Sequence, residues 1–512
     1  MVARNALYNF LSRAWLTALA LFCTPYIVHH LGEGAYGLLS LVSVVIVYFG
    51  MLDMGLAQGV LKYASEYYGR GDYDRLSRLI GTATTIYVGA GVVGAAAIAL
   101  LVGALVTRVL NIGTDLRDVA YFAFYLSSLG FLVSMPLSVF NAIPAALQRM
   151  DITNQRTALI GTSNALGAVL LLRMGFWLRE VVVLNIAASA IGVIAFVAVS
   201  RRLLPGVSFI PRYDRCEASR LFRYSLPTAA SRVASRVAQQ APRLVVGMFW
   251  PLSHVTYFSI PNDICGRGMM LVSHVTTALF PAVSDRSGKG DIDGVRRMYL
   301  RSTRLVASIV MPLFVFLAVL SYPVLKAWMG DSIARHSGLV LSVMAAACWF
   351  QVLDGLQDSF LMAMGHPGSA AKWSIVQGVM TLALTLVLVP RFGALGAALA
   401  LLIVYLGTVP PYVYVVSRRV LGLSLRSVLG CVPAPVVLSG ACVIPVVLAR
   451  ESLTQLWVVA LVLAAAGSLY AVTASWLGVL PKRDLALAWT ALTRRQQRRS
   501  TECLTSSEAR EG

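Results

Sequence analysis

Apolar blocks alternate with short polar loops along nearly the whole chain; Thr82–Val106 and Trp457–Leu480 are examples. About 20 apolar residues make a helix long enough to cross the ~30 Å hydrocarbon core of a bilayer. A membrane β-barrel would show short strands alternating apolar and polar side chains. These blocks are apolar on every face, so the pattern predicts helices. Fourteen spans fit, near 7–28, 37–60, 80–106, 119–146, 157–174, 181–200, 224–248, 253–281, 302–326, 338–364, 371–390, 394–416, 428–449 and 455–480. The expected fold is an all-α polytopic membrane protein.

One polar loop occurs twice. Ser65–Arg78 reads SEYYGRGDYDRLSR, and Ser284–Arg297 reads SDRSGKGDIDGVRR, at a constant offset of 219 residues and without a gap. Ser12-Arg13 and Ser231-Arg232 share that offset. Each copy predicts a helix end, a Gly-x-Gly turn and an Asp that starts the next helix. Six spans separate the copies, so both loops face the same side. The halves are then parallel repeats about an axis along the membrane normal. The expected organisation is a six-helix lobe at 1–200, a basic linker at 201–223, a second six-helix lobe at 224–416, two additional helices at 417–480 and a basic tail at 481–512.

Composition and charge sharpen this picture. The 512 residues are 58% hydrophobic and only 13% charged, with a mean hydropathy of +0.73; soluble domains carry about 25% charged residues. The net charge is +20. A basic chain suggests nucleic acid, but here the charges sit in short loops between apolar blocks, which argues against it. Lys and Arg gather mostly on one set of loops, and the positive-inside rule makes that side cytoplasmic, both termini included. The linker and tail arginines are placed to lie against anionic headgroups. The first block is long for a signal peptide and lacks a small-x-small cleavage site, so it reads as a span. The seven Cys show no CxxC and read as packing residues. The six His have no ligand spacing, and no metal site is expected.

Charges inside the spans are the candidate chemistry. Span 7 carries Arg232, Arg236 and Arg243. At about 100° per residue, Arg236 lies about 40° and Arg243 about 20° from Arg232. An arginine at mid-bilayer costs about 2.5–3.5 kcal/mol, so the stripe should face water between helices. Guanidinium groups in a row suit phosphate, which they grip bidentately. The competing reading is that they neutralise buried carboxylates or snorkel to the interfaces. Arg13 in span 1 is the repeat counterpart of Arg232. Asp263 and Arg267 in span 8 are four residues apart and could pair. Span 10 carries Gln351, Asp354 and Asp358 on one face; these carboxylates, with Asp263 and with Asp53 of span 2, are candidates for binding a coupling ion. Their alternatives are an ion pair with the arginines and, for Asp53, a local cap.

No catalytic constellation is present: the chain has no GxSxG, Walker Lys or HExxH. The outer loops are short and leave little room for an extracytoplasmic active site. The chain is expected not to be an enzyme and to need no cofactor. Transport through it would draw on an H⁺ or Na⁺ gradient, on the membrane potential, or run downhill.

Five segments carry a family resemblance: Leu31-Gly32-Glu33-Gly34-Ala35-Tyr36-Gly37, Leu52-Asp53-Met54-Gly55-Leu56, Ser225-Leu226-Pro227, Ala278-Leu279-Phe280-Pro281 and Pro390-Arg391-Phe392-Gly393-Ala394-Leu395-Gly396-Ala397-Ala398. In their order and spacing the chain resembles bacterial polysaccharide exporters of the multidrug/oligosaccharidyl-lipid/polysaccharide superfamily, the group that includes O-antigen flippases. The resemblance implies two lobes around a V-shaped cavity that opens alternately to either face of the bacterial inner membrane. It implies passage of an undecaprenyl-pyrophosphate-linked oligosaccharide to the periplasmic leaflet, ion coupling, and work beside a polysaccharide polymerase. Arg232, Arg236, Arg13 and Arg267 are then the cavity cations for the pyrophosphate. The first-helix arginine signature of the peptidoglycan-precursor flippases is not evident. A multidrug antiporter of the same superfamily and a membrane polymerase or ligase of glycan assembly are the alternatives. Three arginines on one helix disfavour a cationic drug, and the short outer loops disfavour the enzyme.

Overall fold

A computed structural model describes residues 2–53, 55–448 and 455–478. The expected basic tail at 481–512, and Met54 within the second family segment, lie outside the described residues. Helices account for almost all of what is described, and no strand occurs among those residues. The order is α1 (Val2–Leu31), α2 (Glu33–Phe49), a 3-10 turn at Gly50–Asp53, α3 (Leu56–Arg70), α4 (Tyr73–Ala104), α5 (Arg117–Ala146), α6 (Met150–Arg173), α7 (Leu178–Leu203), α8 (Arg215–Phe249), α9 (Leu252–Gly288), α10 (Ile292–Val319), α11 (Ser321–Met329), α12 (Asp331–Ala363), α13 (Pro367–Tyr414), α14 (Leu425–Leu429), α15 (Pro433–Leu448) and α16 (Leu456–Trp476).

Nine helical stretches among the described residues are long and apolar enough to cross a membrane. The 17-residue α2 falls short, and α8 and α9, which carry the arginines and Asp263, are not among the nine. One of the nine, Pro367–Val420, holds two of the expected spans. Its chain reverses at Gly393, which has φ 57° and ψ −133°. A Cβ on Gly396 would lie 2.4 Å from the carbonyl oxygen of Leu388, so the two arms of the turn touch there and only glycine fits.

The repeated loops adopt one geometry. Gly71 and Gly290 both have φ 72°, the left-handed region that favours glycine at a helix C-terminus. The amide of Asp72 donates to the carbonyl of Tyr67, and the amide of Asp291 to that of Arg286, both at 3.0 Å. Asp72 then caps α4 by accepting from the Arg75 amide at 3.0 Å, and Asp291 caps α10 by accepting from Gly294 at 2.8 Å. The starts of α2 and α9, and of α4 and α10, are likewise 219 residues apart. Helices α4 to α9 separate the two loops, so both lie on one face of the molecule, called here the basic face. The segment expected as a linker is partly helical. α8 already begins at Arg215 because Asp214 caps it, accepting from the amides of Cys216 and Glu217 at 2.8 and 3.1 Å.

Residues 208–214 are pinned to the first half by bonds from the amides of Ser208 to Ser77 Oγ, Arg212 to the Gly81 carbonyl and Asp214 to Thr82 Oγ1. α8 thus starts against the first half and ends in the second.

Candidate functional site

The two halves meet tightly at the face opposite the basic one. Glu33, at the start of α2, is the keystone. Its carboxylate accepts from Ser332 Oγ of α12 at 2.7 Å and from the hydroxyl of Tyr257 in α9, and its carbonyl accepts from Thr256 Oγ1 at 2.6 Å. The Tyr257 ring stacks on His336 with centroids 4.6 Å apart. One turn further along α2, a Cβ on Gly37 would lie 2.0 Å from the Leu252 carbonyl oxygen, so α2 and α9 approach as closely as two backbones can. The amide of Asn111 donates to the Gly247 carbonyl at 2.8 Å, and Trp328 Nε1 to the Leu21 carbonyl at 2.6 Å. Side chains, backbone and rings together close this face.

The predicted cations separate into two kinds. Arg243 is nearly buried and pairs with Asp263, joining α8 to α9. The sequence spacing suggested Asp263 with Arg267; the structure instead turns Asp263 to the neighbouring helix. Arg267 reaches across the seam, donating to the Thr17 carbonyl of α1 at 3.4 Å. Arg13 on α1 and Arg236 on α8 are exposed and make no ion pair or hydrogen bond among the described residues. Arg232 lies in α8, but its side chain is outside the described residues. Arg236 sits near the middle of a 35-residue helix. An unpaired guanidinium at that depth is tolerated in water and not in hydrocarbon. The first helix of each half therefore carries an available cation.

Among the described residues Asp354 and Asp358 of α12 make no ion pair with arginine; Asp331, at the start of the helix, does, with Arg335. Asp354 accepts from Gln377 Nε2 of α13 at 2.8 Å, and the same amide nitrogen lies 3.2 Å from Thr408 Oγ1. Asp358 accepts from the hydroxyl of Tyr412 at 2.5 Å. Between them on α12, Gln357 accepts from Tyr299 of α10 at 2.8 Å. The result is a polar layer inside the second half, built from amides, hydroxyls and two carboxylates. Asp53 accepts from the Tyr87 hydroxyl and from the Ala57 amide at 3.3 Å, so the local cap is formed. Among the described residues no group of three or more His, Cys, Asp and Glu side chains could hold a metal ion.

Sequence reasoning missed three features. Glu33 was visible only as part of a family segment. Arg156 of α6 donates to Asn141 Oδ1 at 2.5 Å and lies over Phe196 at 4.7 Å, a polar contact inside the first half. On the basic face, buried Glu217 of α8 accepts from the Tyr67 hydroxyl at 3.0 Å and from Arg220 Nη1 at 3.1 Å. Burial, reinforced by the bond to Glu217, holds the Tyr67 hydroxyl above its usual pKa. The Glu217 amide, together with that of Cys216, holds Asp214 below the usual carboxylate range. Only the i, i+3 spacing of Glu217 and Arg220 was legible beforehand; Tyr67 is 150 residues away.

A family model described as "Polysaccharide biosynthesis protein" matches residues 30–335. A second, described as "Lipid II flippase MurJ", matches residues 267–467 and so excludes the first helix. A Shigella flexneri protein named as an O-antigen transporter is 22% identical over 405 residues, which span 78% of this chain and 94% of that protein. A Haloferax volcanii protein named as a low-salt glycan biosynthesis flippase is 26% identical over 183 residues, 36% of this chain and 39% of its own. A solved structure of the lipid II flippase MurJ in an inward closed conformation superposes with a TM-score of 0.69 at 12% identity, covering 94% of this chain and 99% of the other.

Proposed function

The chain belongs to the polysaccharide biosynthesis protein family, and on that premise we propose that it is a flippase for a lipid-linked oligosaccharide and not an enzyme. The cargo is an undecaprenyl-pyrophosphate-linked glycan, taken from the cytoplasmic leaflet of the bacterial inner membrane and delivered to the periplasmic leaflet. The basic face is the cytoplasmic one. The two six-helix lobes, 1–200 and 224–416, rock about the seam, with 417–480 riding on the second lobe. A polysaccharide polymerase is the natural consumer of the delivered glycan.

The observation that carries this reading is the pair of cations Arg13 and Arg236, without a partner among the described residues, on the first helices of the two halves, beneath a seam that is closed on the opposite face. Guanidinium groups there gather the pyrophosphate by charge-assisted, bidentate bonds. The sugar follows in water between the lobes while the polyprenyl tail stays in lipid. Arg232 joins this set by its place in the stripe. Arg267 ties α9 to α1 in the closed state and is released to the cargo when the lobes part. Arg243 positions α8 through Asp263. The layer at Asp354 and Asp358, which has its own hydrogen-bond partners and no arginine, takes the coupling H⁺ or Na⁺.

The decisive experiment replaces Arg232 and Arg236 by Ala in the producing strain. Surface polysaccharide should be lost while the protein still inserts and accumulates at the normal level. Full export by the double variant would remove the cations from the mechanism.

A further inference from the structure

A second basic site lies outside the seam, on the basic face. There the first repeated loop and the start of α8 enclose a cleft of about 390 Å3, lined by Tyr63, Glu66, Tyr67, Arg70, Arg75, Arg220 and Arg223. Four arginines face one carboxylate in this lining. Lys62 adds a further charge beside it, held over the rings of Tyr63 and Tyr224 at 4.9 and 4.4 Å. We propose that this cleft binds a phosphate group at the membrane surface.

Three observations carry the proposal. First, the cleft is built. Buried Glu217 accepts from both Tyr67 and Arg220, and Arg220 Nη1 also donates to the Tyr67 hydroxyl at 2.7 Å. This network joins α3 to α8 and fixes one guanidinium at the rim with its remaining N–H groups uncommitted to that network. Close packing continues below it, where a Cβ on Gly59 would lie 3.0 Å from Leu221. Second, the charge is not self-cancelled. Arg70 pairs with Glu66 and Arg75 with Asp72, both exposed pairs that a doubly charged anion can outcompete. Arg223 makes no ion pair or hydrogen bond among the described residues. Third, the duplication supplies an internal control. At the 219-residue offset, Tyr63, Tyr67 and Arg75 become Ala282, Arg286 and Gly294. In that copy Arg296 is turned into the chain, donating to the Leu421 carbonyl at 2.5 Å. The backbone turn and one exposed ion pair, Arg70–Glu66 in the first copy and Lys289–Asp285 in the second, are common to both; Arg75, Arg220 and Arg223 have no charged counterpart at the offset, where Gly294, Ser439 and Cys442 stand. A helix-to-helix turn needs only the shared part, so the added arginines serve something else.

Guanidinium groups converging from two elements suit a phosphate better than a carboxylate, because three oxygens can each accept. The phosphate can come from an anionic lipid headgroup in the leaflet or from a pyrophosphate-bearing substrate. The inference does not rest on the transport reading.

The test uses the full-length purified chain with Arg13, Arg232, Arg236 and Arg267 changed to Gln, so that the cations assigned to the cargo between the lobes contribute nothing. Inorganic pyrophosphate is the probe, titrated calorimetrically in detergent. Arg223→Gln should weaken its binding several-fold, and Arg70→Gln with Arg223→Gln at least tenfold, with unchanged thermal midpoints in the absence of the probe. Arg223 has no partner to lose among the described residues, so that single variant keeps the result readable if the double variant is unstable. The same titration in nanodiscs names the source. Phosphatidylglycerol added to phosphatidylcholine weakens pyrophosphate binding if a lipid headgroup fills the cleft and leaves it unchanged if the substrate does; either result upholds a phosphate site. Equal pyrophosphate affinity in parent and both variants, or no binding by the parent, overturns it.

Discussion

Glu217 shows how one buried charge can organise a junction between distant segments. Its carboxylate is the one charged side chain fully buried among the described residues and depends on Tyr67 and Arg220 for its solvation. Removing it leaves the Tyr67 O–H without its acceptor, and an unsatisfied buried donor costs about 1–3 kcal/mol. Glu217→Ala should therefore lower the thermal midpoint of the purified protein clearly. Glu217→Gln keeps an acceptor for Tyr67 and should recover a good part of the loss. Equal midpoints for wild type and Glu217→Ala would show that the network contributes nothing. The sequence offered little warning of this residue, because its partner is 150 positions away and hydrophobic periodicity carries no information on such pairs. The same reason explains Asp263: spacing along α9 pointed to Arg267, whereas the bond runs to Arg243 on α8.

Helix contacts set how the halves can move. α2 and α9 cross at Gly37 with no room for a methyl group, since the added Cβ would sit 2.0 Å from a carbonyl oxygen that has no rotamer to escape by. Gly37→Ala must push the helices apart and weaken the Glu33 contacts beside it. The expected result is a molecule displaced toward the state open on this face. A cysteine at Thr256 in that background should react with a membrane-impermeant maleimide added from outside the cell at least several-fold faster than in the Gly37 parent. An unchanged rate would mean that the seam absorbs the methyl group without opening. Helix positions, by contrast, were largely readable. The long apolar blocks fixed most elements, and the Gly-x-Gly-Asp pattern placed both repeat turns at the right residues. The helical start of α8 at Arg215 was not, because apolar content marks where a helix enters lipid and not where its Asp cap begins it.

The duplication gives the protein two halves with the same turns and different chemistry. The first half offers Arg13, the cleft at Arg70 and Arg75, and the keystone Glu33; the second offers Arg236 and the carboxylate layer of α12. Nothing in a hydropathy pattern separates these roles, which is why the stripe on span 7 was legible but the division between paired Arg243 and unpaired Arg236 was not. An alternating mechanism requires the seal at Glu33 to break once per cycle, since the seal bonds the first half to α9 and α12 of the second. Tethering the halves there should stop the cycle without touching any proposed cargo residue. Glu33→Cys with Ser332→Cys, joined by a short bis-methanethiosulfonate that forms a disulfide with each thiol and releases methanesulfinate, places the tether where the two side chains already meet at 2.7 Å. Export of surface polysaccharide should stop on cross-linking and return on reduction, while either single cysteine variant treated with the reagent continues to export. Undiminished export through a fully cross-linked population would mean that the seam does not open, and the two halves would have to pass the glycan by a different movement.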